Sequence, residues 1–294
     1  MKPAPFAYHR PGDFADALDR LAELNGQGEE VKVLAGGQSL IPMMNFRLAR
    51  PEHLVDIGHL RDRAKLSGLR SDGSALRIGA LTTHHEVERA RLPEGYRELN
   101  RAMRWIGHLP IRTRGTVGGS LVHGDATAEW CLLALAFDAR IVAESPAGRR
   151  EIPAQDMFHG FYETEVEPGE IVTEIILPAP APNAALTEFA QRRGDFAIVG
   201  VGVRLDVDPS GVLSGARVAL GGVAPAPVRS ASAEAVLTGS VPSDALFAEC
   251  GKAAAANVSP PDDVHGSGDY RRRLTRALVE AACAQAWKRS EENV

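Results

Sequence analysis

The chain has 294 residues, is 44% hydrophobic and 24% charged, and carries a formal net charge of −5. The acidic balance excludes non-specific nucleic-acid binding, which rests on positive surface charge. No apolar run reaches the roughly 20 residues that span a bilayer.

The length allows two or three domains. The opening stretch "MKPAPFAYHRPGDF" lacks the apolar segment of a secretory signal, so a cytoplasmic location is expected. Cys131, Cys250 and Cys283 are far apart and form no C-x-x-C, which argues against a disulfide framework. They also fall short of the four ligands an iron–sulfur cluster usually takes, so any such cluster belongs to a partner. They read as small buried apolar side chains.

In "PGDFADALDRLAEL", Phe14, Ala17, Leu18, Leu21 and Leu24 share one helical face, with Asp13 as N-cap. "GQGEE" ends that helix. "VKVLA" and "HLVDI" are short strands on either side of "AGGQSLIPMMNFRLARP", so the first 60 residues read as a small α/β unit. "ALRIGALT" is a further strand. "THHEVERARL" then opens a helix with a capping box, Thr83 with Glu86. His84 and His85 lie in its first turn. Arg89 stands where an H-E-x-x-H zinc site needs its second histidine, so both histidines read as packing or surface residues.

"GYRELNRAMRWIGH" is predicted as another helix, and "EWCLLALAFDARIVA" as a buried helix running into a strand. "LPAPAPNAAL", 177–186, is a linker rich in Pro and Ala. Beyond it "LTEFAQRR", "FAIVGVGVRLDV" and "VLSGARVALGGV" read as three antiparallel strands, the last two joined by "DPSG" with Pro209 pre-set for the turn. The final helix places Leu274, Leu278, Ala281, Ala282 and Gln285 along one stripe. These features describe an α+β domain from about residue 183.

Two glycine-rich stretches stand out, Ala35–Leu40 ("AGGQSL") and Arg114–Asp125 ("RGTVGGSLVHGD"). Glycine lets backbone N–H groups approach a ligand with no Cβ in the way, and successive inward amides form a nest for phosphate oxygens. Ser39, Thr116 and Ser120 add hydroxyls. Two such loops could hold the two halves of a diphosphate without lysines, or each could be a tight turn. The P-loop and the strand-to-helix G-x-G-x-x-G are absent, and "GVGVRL", 200–205, lies inside a predicted strand. Ser39 and Ser120 both fail the nucleophile-elbow pattern, because Ile41 and Val122 stand where glycine is required. A serine hydrolase using His123 and Asp125 is therefore disfavoured.

Three stretches in this order, "VLAGGQSLIPMMNFRLARPEHLVDI", "HLPIRTRGTVGGSLVHGD" and "QRRGDFAIVGV", resemble the FAD-binding medium subunit of the molybdenum hydroxylases, the xanthine dehydrogenase and carbon monoxide dehydrogenase family. The resemblance covers essentially the whole chain. It implies an α+β architecture: a two-subdomain FAD-binding fold of the vanillyl-alcohol-oxidase/PCMH type, 1–60 and 61–178, followed by a three-stranded antiparallel sheet with helices, 183–294. It implies non-covalent FAD between the subdomains. Leu34, Ala35, Gly36, Gly37, Gln38, Ser39 and Leu40 would cradle the diphosphate, faced by Thr116, Gly118, Gly119, Ser120 and Gly124. Asp125 would bond the adenosine portion, Ile171 and Val172 would pack near the cofactor, and Phe196 would lie beside the isoalloxazine.

The implied partners are a large molybdenum-cofactor subunit and a small subunit with two [2Fe–2S] clusters, in a dimer of heterotrimers. Electrons would pass from the clusters through FAD to an external acceptor, and no residue of this chain need be catalytic. Carbon monoxide, an N-heterocycle or alkaloid, or an aldehyde would be oxidised on the large subunit. There are departures. Gln38 replaces a histidine common in the carbon monoxide branch, "DATAEW" replaces the commoner "DPxAELP", and Glu188 lies near a position where some relatives have a flavin-reaching lysine, for which Arg192 or Arg193 might stand in. Two alternatives remain: a stand-alone FAD oxidase with flavin tethered to His108 or His123, and a subunit that has lost its cofactor.

Overall fold

The computed structural model describes residues 2–62, 64–71 and 73–291. The first unit contains β1 (Ala7–His9), α1 (Phe14–Gly26), β2 (Val31–Leu34), α2 (Leu40–Asn45) and β3 (His53–Asp56). Helix α1 starts as expected: Asp13 accepts the Asp16 backbone N–H at 2.9 Å, satisfying an orphan donor of the first turn. Its buried Ala17, Leu21 and Leu24 press against the sheet. That sheet has the order β1-β3-β2 and is wholly parallel, with Leu34 level with Asp56. The carboxyl ends of β2 and β3 therefore share one edge, the usual place for a ligand crevice in parallel sheets.

The second unit contains β4 (Leu69–Ser71), β5 (Leu76–Gly79), α3 (His84–Arg89), α4 (Arg97–Ala102), α5 (Leu109–Arg112), α6 (Val117–His123) and α7 (Glu129–Ala136). It continues with β6 (Arg140–Ser145), β7 (Gly148–Pro153), β8 (Phe158–Gly160), β9 (Glu163–Thr164) and β10 (Ile171–Leu177). Five of these strands form an antiparallel sheet in the order β4-β5-β10-β6-β7. The Thr83–Glu86 capping box is present in both directions. Helix α4 is shorter than the sequence predicts and ends at Ala102. Gly107, in the left-handed region at φ 47°, turns the chain before α5.

The third unit contains β11 (Ala184–Phe189), β12 (Val199–Val207), β13 (Leu213–Gly221), β14 (Val228–Arg229), α8 (Ala231–Leu237), α9 (Asp244–Ala256) and α10 (Gly268–Glu291). Its antiparallel sheet has four strands rather than the expected three, because β14 pairs with β13 over two residues. Phe196 lies outside the strand predicted for it: β11 ends at Phe189, β12 begins at Val199, and the loop between turns at left-handed Gly194. The buried stripe of α10 is also rotated from the predicted one. It runs through Arg271, Thr275, Val279, Ala282, Cys283 and Ala286, while Ala281 and Gln285 are exposed. Two polar residues share that stripe because both are satisfied. The Arg271 guanidinium donates to the Ile198 and Gly222 carbonyls and pairs with Asp263, and the Thr275 hydroxyl donates to the Arg271 carbonyl.

Helix α7 joins the second and third units. Trp130 to Ala136 are all buried, as a helix that is apolar all round must be. It lies against β12 and β13 where Gly200, Gly202 and Gly221 leave room. A Cβ on Gly221 would come within 2.6 Å of the Ala126 carbonyl, and one on Gly202 within 3.1 Å of the Leu132 carbonyl. The glycines of "GVGV" thus serve helix-on-sheet packing. Asp138 follows the same helix and accepts from Arg217 at 2.8 Å and Arg229 at 3.0 Å across the junction.

Candidate functional site

A cleft of about 730 Å³ opens between the first two units, within the size range of small-molecule sites. From the first unit it is lined by the loop after β2 and by Asp56, Gly58, His59 and Arg61, just past β3. From the second it is lined by Leu81, Thr83, Thr113, Arg114 and Thr116. The two glycine loops meet at its wall. A Cβ on Gly36 would collide with the Arg114 carbonyl, and Gly37 takes φ 71°, which favours glycine.

The first loop is rich in unpaired donors. Among the described residues, the backbone N–H groups of Gly36, Gly37, Gln38 and Ser39 donate no hydrogen bond within the chain. Ser39 sits at the N-cap of α2 without capping it, which leaves its hydroxyl open. The Gln38 amide donates to the Gly36 carbonyl at 3.2 Å and braces the turn. The buried His59 Nδ1 has no partner, while His59 Nε2 is held by the Pro11 carbonyl at 2.7 Å. Arg61 brings a positive charge, paired with Glu86 at 2.6 Å. Four adjacent free amides at the end of a parallel strand, with a cation nearby, suit an anion such as a diphosphate.

The second loop is built differently, and this corrects the expectation of two equivalent nests. The Gly118 amide donates to the Ala80 carbonyl at 2.8 Å and the Val117 amide to Thr82 at 3.0 Å. The Gly119 amide donates to the Thr116 hydroxyl at 3.2 Å and the Ser120 amide to the Thr116 carbonyl at 3.0 Å. These donors are occupied in starting α6 and fastening it to the sheet. Gly118 is small because α6 touches β5 closely: a Cβ there would lie 2.6 Å from the Ala80 Cβ. Gly115 rests on the His84 ring, where a Cβ would approach to 2.9 Å. His84 is the packing histidine expected. It is buried, and its Nδ1 accepts from Trp130 Nε1 at 3.0 Å. Burial, with Arg112 nearby, pulls its pKa down to about 4, so it stays neutral.

Of the residues singled out in the sequence, Leu34, Ala35, Gly36, Gly37, Gln38 and Thr116 line the cleft. Ser39 and Leu40 begin α2 directly behind it. Gly118, Gly119 and Ser120 lie along α6, and Gly124 ends that helix with φ 64°. Asp125 follows and accepts from the Thr127 amide and hydroxyl through Oδ1, while Oδ2 takes no donor among the described residues. Beside it the His123 ring stacks on Tyr162 at 4.7 Å, and Tyr162 has φ 57°, an uncommon conformation for a bulky residue. Ile171 and Val172 are buried, in the first- and second-unit cores respectively. Phe196 is 79% exposed and lines neither the cleft nor the core.

Sequence reasoning missed Asp56, His59 and Arg61. Their signal was the parallel pairing of β2 with β3, which brings "DIGHLR" to the same edge as "AGGQS". Glu188, buried on β11 with Oε2 unpartnered, has its pKa pushed up to about 8 by burial and by Glu129. Among the described residues no group of three or more His, Cys, Asp or Glu could hold a metal ion. No described helix is long and apolar enough to cross a membrane.

Residues 4–180 match the family model described as the FAD binding domain in molybdopterin dehydrogenase, and residues 184–286 match the CO dehydrogenase flavoprotein C-terminal domain. The chain is 36% identical to the 6-hydroxypseudooxynicotine dehydrogenase complex subunit alpha of Paenarthrobacter nicotinovorans, over 99% of this chain and 97% of that one. It is 35% identical to the carbon monoxide dehydrogenase medium chain of Hydrogenophaga pseudoflava, over 98% of this chain and 99% of that one. Among solved structures, a carbon monoxide dehydrogenase chain from Hydrogenophaga pseudoflava superposes with a TM-score of 0.92 at 36% identity, covering 98% of this chain and 99% of that one. A quinoline 2-oxidoreductase chain from Pseudomonas putida 86 gives 0.88 at 31% identity, covering 97% and 98%.

Proposed function

The chain belongs to the family of FAD-binding medium subunits of the molybdenum hydroxylases, and from that premise we propose how its residues hold the cofactor. The free amides of Gly36 to Ser39 carry the proposal. They bind the FAD diphosphate, with the Ser39 hydroxyl as a further donor. The second loop supplies a close, glycine-surfaced wall through Gly119 and the side chain of Ser120. Asp125 takes a ribose hydroxyl on its free Oδ2. Ile171 and Val172 support that region from β10, and Phe196 offers an exposed ring face to the isoalloxazine. The working division is 1–60 and 61–178 for the two cofactor subdomains and 183–294 for the C-terminal domain.

When bound, FAD supplies reversible one- and two-electron chemistry, and the protein supplies binding, orientation and electrostatics. The chain is the flavoprotein subunit of an oxidoreductase complex. Its partners are a molybdenum-cofactor subunit, where substrate is oxidised, and an iron–sulfur subunit, whose clusters deliver the electrons. A cytoplasmic location is part of this proposal. The stand-alone oxidase reading loses ground, because the C-terminal domain matches the molybdenum hydroxylase type and neither His108 nor His123 lines the cleft.

The test is to purify the chain with its co-purifying partners and record visible absorption before and after denaturation. Flavin that leaves the denatured polypeptide, beside iron–sulfur absorbance in the attached chains, is the expected result. A folded complex without flavin overturns the assignment, and flavin that stays with the denatured chain restores the oxidase reading.

A further inference from the structure

A second cavity of about 450 Å³ lies at the junction of the second and third units. It shares no lining residue with the first cleft. Arg101, Arg104 and Trp105 come from α4 and the turn after it. Glu188, Arg192 and Arg193 come from β11 and the loop beyond it. Four guanidinium groups thus surround one hollow in a chain of net charge −5.

Elsewhere in the molecule arginines are neutralised. Arg150 is held by Glu165 and Glu170, Arg229 by Asp138 and Glu234, and Arg271 by Asp263. Here only Arg101 has an acidic partner, Glu98 at 3.7 Å. Among the described residues, Arg104, Arg192 and Arg193 form no ion pair and no side-chain hydrogen bond. Three unpaired guanidinium groups facing one concavity repel each other and together attract an anion. Solvated arginines on a convex face would carry no such meaning.

The remaining lining narrows the class of anion. Trp105 and Phe189 are both partly exposed, at 36% and 39%, and offer aromatic faces in the same hollow. Glu188 is 8% exposed and its Oε2 has no partner. Burial and Glu129 favour its neutral form, so it does not oppose an anion and can donate a hydrogen bond. A simple inorganic anion needs the cations and not the rings. A nucleoside diphosphate uses both: the guanidinium groups pair with phosphate oxygens and the indole stacks on the base.

We propose that the cavity formed by Arg101, Arg104, Trp105, Glu188, Arg192 and Arg193 binds the nucleoside-diphosphate portion of a soluble ligand, separately from the FAD cleft. Nucleotide electron acceptors belong to this chemical class.

The experiment uses the purified, FAD-loaded complex, whose flavin absorbance is recorded first. ADP binding is measured by titration calorimetry, with adenosine and inorganic phosphate as separate probes. Arg104→Ala and Arg193→Ala should each weaken ADP binding by about tenfold or more, and Arg193→Lys should recover part of the loss. Adenosine and phosphate should each bind at least about tenfold more weakly than ADP. Flavin content and melting temperature should stay at the parent values, because these arginines are exposed. Unchanged ADP affinity in an Arg104→Ala, Arg193→Ala double variant overturns the proposal. So does ADP binding seen only after flavin is removed, which places ADP in the first cleft. Phosphate that binds as tightly as ADP also overturns it, since the rings then play no part. A complex that contains no flavin counts against the FAD assignment and leaves the cavity test intact.

Discussion

In the first glycine loop the backbone N–H groups of Gly36 through Ser39 meet no protein acceptor; in the second, those of Val117 through Ser120 are all taken. The sequences "AGGQSL" and "TVGGSL" differ little, so composition alone treats them as twins. Their surroundings separate them. The first loop leaves a short parallel strand at the sheet edge, with nothing above its amides. The second begins a helix that must dock on β5, and its glycines are small so that α6 can approach Ala80. One loop keeps donors for a ligand. The other uses them for architecture and gives the ligand only a wall.

The comparison can be broken most severely at Gly36. Gly36→Ala drives a Cβ into the Arg114 carbonyl, so the two loops must part. We expect a folded chain that no longer retains flavin through gel filtration, read from absorbance per polypeptide. Retention at the parent stoichiometry would show that the loops need not touch.

Acid should act next most strongly, and on the second loop. His84 lies under Gly115 with its pKa drawn down to about 4 from the ordinary 6.5. Its buried neutral form contributes fully above pH 6.5, and that contribution is lost as pH falls toward 4. The loss is about 3 kcal/mol, at ~1.4 kcal/mol per pH unit between the two values. Denaturant melts of parent and His84→Gln across that window should show a smaller acid slope in the variant. Identical slopes would remove His84 from the account.

Gly118→Ala should cost about 1–3 kcal/mol through overpacking against Ala80, measured as a lower denaturant midpoint. Its flavin affinity should fall far less than that of the Gly36 variant. Equal loss of flavin in both would make the loops equivalent after all. The smallest effects sharpen the same contrast. Thr116→Ala removes a working N-cap and should cost about 1 kcal/mol of stability. Ser39→Ala removes a hydroxyl that caps nothing, so stability should stay within about 0.5 kcal/mol while flavin binding weakens by roughly tenfold or less.

Much of the fold was legible in the chain. Asp13, the Thr83–Glu86 box and the apolar face of α1 are local signals, and each acts within a few residues of where it is written. The rotated stripe of α10 was not legible. Arg271 and Thr275 are polar by type and become core residues only because Ile198, Gly222 and Asp263 from distant segments satisfy Arg271. The fourth strand was missed for a similar reason: two residues carry no periodicity, and β14 exists only as a partner of β13.

The sequence by itself determined the family, the three-unit order and the first glycine loop as the diphosphate cradle, because motif order, apolar period and turn residues are written along the chain. Tertiary structure decided which glycine amides are free, which arginines lack a carboxylate, and that Asp56, His59 and Arg61 join the cleft. Those are properties of pairing. A donor or a charge is available only when no partner arrives from another part of the chain, and sequence spacing alone carries no record of that arrival.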